Sequence, residues 1–320
     1  MNLKIMGTGS SIPKEVVTNE KITSLVETTN EFIVSRTGIE ERHVATTETT
    51  VSMAVDAAKK ALECAGIKAE DLDLIIVTTM SPDNSCPNTA CSVQNEIGAF
   101  NAAAIDLNTA CSGFIFAMSI ADAYVKTGKY ETILIVSAEL LSKVIDWSER
   151  TTCILFGDGS GAAVFKAGET GLIKVCEYAD GSGGKHLSAG SVPINNLLLA
   201  DKKGFTYPVM NGKEIVKFAT TKVPESIREV LAEANIDISE IKYFVLHQAN
   251  KRIIEGIAEN LGVDMSKFPT NVERYGNTSS ASLPILLDEV NRANMLEKGD
   301  KIVLAAFGGG LTWAAAVVEW

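Results

Sequence analysis

Residues 52–79, SMAVDAAKKALECAGIKAEDLDLIIVTT, decide the fold when set beside residues 219–248, ATTKVPESIREVLAEANIDISEIKYFVLHQ. Each stretch reads as a helix, a short turn and a strand. Aligning Ala65 with Ala234 pairs Ile67 with Ile236, Leu72 with Ile241, Leu74 with Tyr243 and Ile76 with Val245, and sets Thr78 opposite His247. A second echo sets Phe156-Gly-Asp-Gly-Ser-Gly-Ala-Ala-Val164 against Phe307-Gly-Gly-Gly-Leu-Thr-Trp-Ala-Ala-Ala-Val317. By this reading each half ends on a Gly-rich turn and a strand of small residues. The two echoes differ in offset, so insertions separate them. Strands over 72–79, 131–138, 242–247 and 301–307 are apolar on both faces, and helical segments separate several of them. That is the pattern of βα units whose sheet is covered on both sides. The class is therefore α/β. Duplication makes two sheets packed around shared helices the expected arrangement, with halves over 1–170 and 171–320. One large doubly wound domain is the alternative.

The chain has 320 residues, 46% of them hydrophobic, enough to bury a large core. A net charge of −11 argues against a general nucleic-acid or anionic-membrane surface. The start, Met1-Asn-Leu-Lys-Ile-Met-Gly-Thr-Gly9, is too short and Gly-rich for a secretory signal. No apolar run approaches the ~20 residues a membrane helix needs. Cys64, Cys86, Cys91, Cys111, Cys153 and Cys176 lack CxxC or zinc-type spacing. A reduced, cytoplasmic enzyme with no metal site and no disulfide framework is expected.

The chemistry concentrates in Asn108-Thr-Ala-Cys111-Ser-Gly113. The mostly small, apolar segment 101–107 before it reads as a buried strand. The segment 114–126 after it has apolar residues at helical spacing. Cys111 thus falls at a helix N-terminus, where free N–H groups and the helix dipole favour a thiolate and a lowered pKa. The second half offers three polar groups where strands pass into loops. His247 ends the run Phe244-Val-Leu, Asn277 follows Gly276 and precedes a hydroxyl-rich stretch, and Phe307-Gly-Gly-Gly-Leu-Thr312 is a turn with exposed N–H groups. Each alone has a plain structural explanation: a small buried cysteine, a structural histidine, a turn asparagine, a tight glycine turn. Together, on a duplicated α/β frame, they point to nucleophilic catalysis.

With those residues in place, the whole chain resembles the thiolase-like condensing enzymes, and most of all the β-ketoacyl-acyl carrier protein synthase III family. The resemblance is carried by Gly7-Thr-Gly-Ser10, Arg36-Thr-Gly-Ile39 with Glu41-Arg-His43, the segment around Cys111, Phe156-Gly-Asp-Gly159, His247-Gln-Ala-Asn250, Gly276-Asn-Thr-Ser279 and Phe307-Gly-Gly-Gly310 with Thr312-Trp313. It implies a five-layer αβαβα fold and a homodimer. It also implies decarboxylative condensation of an acyl-coenzyme A primer with malonyl-acyl carrier protein, starting fatty acid synthesis. Cys111 would carry the acyl group, His247 and Asn277 would steady an enolate, and the N–H groups of Cys111 and Gly309 would form the oxyanion hole. Substrate-binding positions carried over are Thr28, Phe32, Arg36, Cys86, Arg150, Gly212 and Asn250, and carrier-docking ones are Lys217 and Arg252. Coenzyme A enters as part of the substrate, with no resident cofactor.

Several positions depart from the family pattern, all around substrate handling. Phe32 replaces the usual tryptophan that stacks on adenine. Cys86 stands where some relatives place a phenylalanine reaching into the partner's acyl pocket, which implies more room for the primer. Leu311 replaces an aromatic residue, and Glu259-Asn260 replace two lysines, with Lys213 and Lys217 able to compensate. The nearest alternative is a condensing enzyme or acyltransferase of a specialised, polyketide-type pathway. A non-catalytic partner of the same fold is disfavoured by the presence of Cys111. A dinucleotide-binding oxidoreductase is suggested only by Gly7-Thr-Gly9, which lacks the third glycine.

Overall fold

A computed structural model describes residues 1–190, 193–195, 198 and 204–320. The chain begins with strand β1 (Asn2–Ser11), helices α1 (Asn30–Thr37) and α2 (Thr50–Ala65), and strand β2 (Leu74–Thr78). Helix α3 (Thr89–Ile97), β3 (Ala103–Leu107), α4 (Gly113–Lys126), β4 (Thr132–Leu140) and β5 (Asp158–Gly168) follow. The second half holds β6 (Leu172–Ala179), α5 (Gly212–Ala234), β7 (Ile241–Leu246), α6 (Lys251–Leu261), α7 (Ser282–Arg292), β8 (Lys301–Gly308) and β9 (Thr312–Glu319).

The aligned repeats fold alike down to their caps. Helix α2 ends on Gly66 and α5 on Asn235, both left-handed at φ 64° and 54°. The next residue in each case, Ile67 or Ile236, bonds back to the carbonyl of Leu62 or Leu231. This is the usual way to satisfy the last carbonyls of a helix. One 3₁₀ turn then leads into β2 or β7.

Two sheets result, ordered β1-β5-β4-β2-β3 and β7-β8-β9-β6. In the first, β4 runs parallel to β2 and antiparallel to β5; in the second, β8 runs parallel to β7 and antiparallel to β9. Order and sense repeat, with β3 added at the edge of the first sheet. Side chains alternate between layers. Leu74 and Ile76 of β2 join Phe114 and Met118 of α4 and Leu283 and Leu287 of α7 in the middle, with Ile302 and Leu304 of β8 closing that layer from the other side. Ile75 and Val77 turn outward to α2 and α3. Val303 and Ala305 turn outward to α5 and α6. The five layers follow from strands that are apolar on both faces, each buried Leu or Ile contributing about 2 kcal/mol.

Two expectations need correction. The strand before Cys111 exists but is not buried: β3 is an edge strand, and Ala103, Ile105 and Asp106 are exposed on the single chain. Its apolar composition reflects an uncovered flank, because no strand lies beyond it. The second echo pairs residues that are not equivalent, since Phe307 lies within β8 whereas Phe156 precedes β5. Residues 141–157 separate β4 from β5, whereas β8 turns into β9 through 309–311, and that insertion shifts the register. Gly7 and Gly9, which gave the weak dinucleotide signal, serve packing instead. A Cβ on either would come within 2.4 Å of the α2 backbone, so they let that helix lie directly on β1.

All six cysteines are unpaired, and Cys64, Cys86 and Cys91 are exposed. Among the described residues no helix is long and apolar enough to cross a membrane.

Candidate active site

Cys111 and Asn277 sit on two matching elbows. A 3₁₀ turn, Ala110–Ser112, leads into α4, and another, Ser279–Ala281, leads into α7. Asn108 Oδ1 accepts the Ala110 N–H at 3.1 Å, and Asn277 Oδ1 accepts the Ser279 N–H at 2.8 Å. Ala110 and Ser279 both take positive φ, 48° and 52°, a conformation unfavourable for a residue with a Cβ. Asn108-Thr-Ala-Cys-Ser-Gly113 and Asn277-Thr-Ser-Ser-Ala-Ser282 stand 169 positions apart, the spacing of Ala65 and Ala234. This third echo is visible in the sequence as two Asn-Thr hexapeptides, and it went unrecognised there.

The elbows face each other across a cavity of about 690 Å³, lined by Cys111, His247, Asn277, Ser279 and Gly308–Gly310 and closed by apolar groups such as Leu141, Leu155 and Phe156. Cys111 Sγ donates to Ser279 Oγ at 3.3 Å. Gly308 presses on the Cys111 turn, where an added Cβ would stand 2.6 Å from the Cys111 N. The Cys111 N–H, at the start of its turn, has no intrahelical acceptor.

His247 is the first residue beyond β7, and its N–H bonds to the Ala305 carbonyl at 2.9 Å. The ring is buried, with Nδ1 2.5 Å from Ser282 Oγ, and Phe307 packs edge-on against it at 5.3 Å. Ser282 Oγ already accepts the Gln248 N–H at 3.1 Å. Nδ1 is the one acceptor these contacts give the Ser282 hydroxyl proton, which assigns the imidazole proton to Nε2.

Asn277 is strapped by the first half: its N–H bonds to the Leu155 carbonyl at 2.8 Å and its carbonyl accepts the Gly157 N–H at 3.1 Å. Gly157 must be glycine, because a Cβ would lie 2.2 Å from the Tyr275 carbonyl. With Oδ1 turned to Ser279, Nδ2 is the amide's donor left for a ligand.

Burial sets the ionisation of both reactive groups. It lowers the His247 pKa to about 3, so the ring is neutral near pH 7. It raises the Cys111 thiol to about 12; the Ser279 hydrogen bond pulls the other way, and the Glu139 charge adds to the rise. This overturns the expected lowering. The helix N-terminus is present, but enclosure without a neighbouring cation outweighs it, and Cys111 rests as a thiol.

The other predicted positions divide between the cavity and its surroundings. Gly309, Gly212 and Asn250 line it. Asn250 caps α6 and donates through Nδ2 to the Arg36 carbonyl at 3.1 Å, tying α1 to α6. Phe32, Arg36 and Arg150 form a cluster outside the cavity lining, with the two guanidinium groups 5.9 and 5.3 Å from the half-exposed phenyl ring. Thr28 stands close by in sequence, its buried Oγ1 without a partner, and Arg150 donates to the Glu27 carbonyl at 3.3 Å. Lys217 and Arg252 are exposed on α5 and α6. Cys86 is exposed on the loop before α3 and does not line the cavity of a single chain. Sequence reasoning gave no role to Ser279, Ser282, Phe307 or Glu139. The first two lay in a stretch already noted as hydroxyl-rich, while nothing local marks Glu139. Among the described residues no group of three or more His, Cys, Asp or Glu could hold a metal ion.

Comparison with known proteins follows this geometry. Two family profiles match, 3-oxoacyl-[acyl-carrier-protein] synthase III over residues 105–182 and its C-terminal part over 231–320. The β-ketoacyl-[acyl-carrier-protein] synthase III of Clostridium acetobutylicum is 47% identical over 322 residues, covering 100% of this chain and 99% of its own. The crystal structure of 3-oxoacyl-[acyl-carrier-protein] synthase III from Aquifex aeolicus superposes with a TM-score of 0.93 at 42% identity, covering 99% of this chain and 100% of its own. The priming β-ketosynthase of the R1128 polyketide pathway superposes at 0.94 with 34% identity, covering 99% and 96%. The chain belongs to the 3-oxoacyl-[acyl-carrier-protein] synthase III family, with a thiolase-like fold.

Proposed function

We propose that this protein is a cytoplasmic, homodimeric acyltransferase that condenses an acyl-coenzyme A primer with malonyl-acyl carrier protein, the opening step of fatty acid synthesis. The observation that carries this reading is one cavity bearing a thiol on one elbow and, on the opposite side, a neutral imidazole and a carboxamide with free donors.

In the first step Cys111 Sγ attacks the thioester carbonyl. The oxyanion meets the N–H groups of Cys111 and Gly309, each such donor being worth ~3 kcal/mol. The carbon–sulfur bond to coenzyme A breaks, and coenzyme A leaves as the thiol with the proton that Cys111 gave up. In the second step a malonyl thioester loses CO₂. The enolate oxygen takes hydrogen bonds from His247 Nε2–H and Asn277 Nδ2–H, and its carbon attacks the acyl-Cys111 carbonyl. A histidine with a pKa near 3 is neutral near pH 7, and its Nε2–H is a weak acid, so it stabilises the enolate without protonating it.

The surroundings support the same substrates. Phe32 between Arg36 and Arg150 suits a purine ring. Gly212 and Asn250 line the cavity and Thr28 follows Glu27, whose carbonyl Arg150 holds, in keeping with coenzyme A as substrate and no resident cofactor. Lys217 and Arg252 offer positive charge to an acidic carrier. The exposed β3 edge suits pairing across a two-fold axis, which would bring Cys86 to the partner's primer pocket. Intact-mass measurement after acyl-coenzyme A addition should show one acyl group on Cys111, and malonyl-acyl carrier protein should then release a 3-oxoacyl product. Acylation without condensation on the fatty-acid carrier would shift the reading toward priming in a specialised pathway, which the R1128 likeness keeps in view.

A further inference from the structure

The two N–H groups assigned to the oxyanion, those of Cys111 and Gly309, come from different halves of the chain. One oxygen meets both only if the Cys111 elbow and the β8–β9 turn keep a fixed spacing, since each donor acts at about 2.7–3.1 Å. Gly308 permits the approach: an added Cβ would stand 2.6 Å from the Cys111 N and 3.2 Å from Ala110 Cβ. Room to approach does not hold the segments together. Among the described residues no main-chain hydrogen bond joins residues 109–112 to residues 308–312. The far side of the turn is fixed elsewhere, with Leu311 exchanging main-chain hydrogen bonds with Asp180 at 2.8 and 2.7 Å.

Two hydroxyls make the link. Thr312, the first residue of β9, pairs with Gly308 across the turn. Its Oγ1 lies 2.9 Å from Ser112 Oγ, 3.1 Å from the Thr109 carbonyl and 3.2 Å from the Gly309 carbonyl. Ser112 is buried, and its Oγ lies 2.8 Å from the same Thr109 carbonyl. Two hydroxyl protons serve these contacts, and the short gap between the two oxygens takes one of them. If Thr312 donates there, Ser112 donates to Thr109. If Ser112 donates there, the Thr312 proton goes to the Thr109 or the Gly309 carbonyl. In both cases the Thr312 hydroxyl is bonded to the elbow that carries Cys111. The Ser112–Thr109 contact is local, three residues back, but the contact with Thr312 spans 200 positions, and local backbone chemistry does not call for it. The matching position on the Asn277 elbow is Ala281, so the repeated turn does not itself require a hydroxyl there.

We propose that Thr312, through Ser112, is a positioning residue whose hydroxyl fixes the Cys111 and Gly309 N–H groups at one spacing, so that both meet the thioester oxygen as it becomes an oxyanion. This role rests on the condensing reading. Neither Thr312 nor Ser112 lines the cavity, so the pair acts on the substrate only through the two backbones it joins. Attack by Sγ places charge on the carbonyl oxygen, and the same two donors serve again when the enolate carbon attacks the acyl group on Cys111. Decarboxylation of the malonyl thioester draws on His247 and Asn277 instead. Alkylation of Cys111 by iodoacetamide is a displacement at a saturated carbon and forms no oxyanion.

The test follows four reactions: acylation by acetyl-coenzyme A, acylation by p-nitrophenyl acetate, alkylation by iodoacetamide and malonyl decarboxylation. Thr312→Val keeps the shape and removes the hydroxyl. It should slow both acylations about tenfold at saturation, part of the roughly hundredfold or more that goes with a whole oxyanion donor, with KM for acetyl-coenzyme A unchanged. Alkylation and decarboxylation should keep their wild-type rates. Thr312→Ser, which puts the hydroxyl back, should return most of the acylation rate. Ser112→Ala should show the same loss as Thr312→Val, and the double variant should lose no more than either, because one contact is broken in all three. Ser112→Ala carries the test if Thr312→Val fails to fold. Acylation at the wild-type rate in both single variants would overturn the tether. Alkylation falling together with acylation would also overturn it and make Thr312 a prop for the Cys111 turn. The nitrophenyl ester separates this outcome from the condensing reading, because its acyl transfer needs the thiol and the oxyanion donors but no coenzyme A. A wild-type enzyme acylated by that ester and by no acyl-coenzyme A would sink the condensing reading, and the Thr312 comparison would still be read on the ester. Acylation by neither would take both down.

Discussion

After β4 the first half runs out through residues 141–157 and reaches across to clasp Asn277 with the backbone of Leu155 and Gly157. After β8 the second half turns back within Gly309–Leu311 and goes straight into β9. Everything beneath these ends repeats: the capped helix, the 3₁₀ turn, the parallel and antiparallel neighbours, the left-handed residue of each elbow. Position 78 is a threonine packed under Gly113, whereas its counterpart is His247, open to the cavity. The halves therefore share a frame and differ in what stands on it. One frame presents the Cys111 thiol, the other the His247 imidazole and the Asn277 amide, and unequal loops bring them to one cavity. A duplicated fold becomes an active site by losing its symmetry at the strand ends only.

The sharpest way to break that division is to move the nucleophile. Cys111→Ala should lower acylation at least about 1,000-fold by intact mass. Adding Ser280→Cys, which puts a thiol on the matching position of the other elbow, should not restore it, because that side faces Glu139 and not the oxyanion donors. Recovery of acylation in the double variant would show the halves to be interchangeable. Next come the paired asparagines. Asn277→Ala should cut malonyl decarboxylation by about 100-fold while acylation persists, since one buried donor to a developing oxyanion is worth that much. Asn108→Ala should lower acylation more than decarboxylation, and equal losses in both assays would erase the distinction.

A pH measurement sharpens the contrast between Thr78, which cannot titrate, and His247. The folded pKa of His247 is about 3 against 6.5 for the free side chain. The folded state thus binds fewer protons than the unfolded one. This stabilisation is complete above pH 6.5 and is lost as the pH falls toward 3. From pH 7 to pH 5 the loss is about 2 kcal/mol. His247→Gln should flatten that part of the stability profile in urea unfolding, and an unchanged slope would place the acid sensitivity elsewhere. The smallest effect belongs to the rim. Phe32→Ala should raise KM for acyl-coenzyme A about fivefold and Phe32→Trp should lower it, the aromatic contact being worth ~1 kcal/mol, with kcat little changed. A change confined to kcat would remove the ring from the binding path.

The frame and the reactive trio were legible because both are local patterns. Helix caps, apolar alternation and Gly or Asn at turns leave marks within a few residues, and the Ala65–Ala234 alignment needed nothing more. The Asn108–Asn277 echo is equally local but faint, because its two hexapeptides share only the leading Asn-Thr. Glu139 could not have been picked out, since a glutamate in an apolar strand gives no sign of which hydroxyls will surround it. The exposure of β3 was misread for a related reason: an edge strand that is apolar and one that is buried have the same composition.

By itself the chain specified a doubled α/β architecture, a cysteine before a helix, and a histidine and an asparagine at loop starts, because backbone preference and periodicity act over short distances. Only the tertiary arrangement decided that Cys111 rests as a thiol, that His247 is neutral with its proton on Nε2, and that the buried Glu139 carboxyl holds Ser280. Those properties depend on desolvation and on partners as far as 168 positions away, and a protonation state is set by what surrounds a group in space.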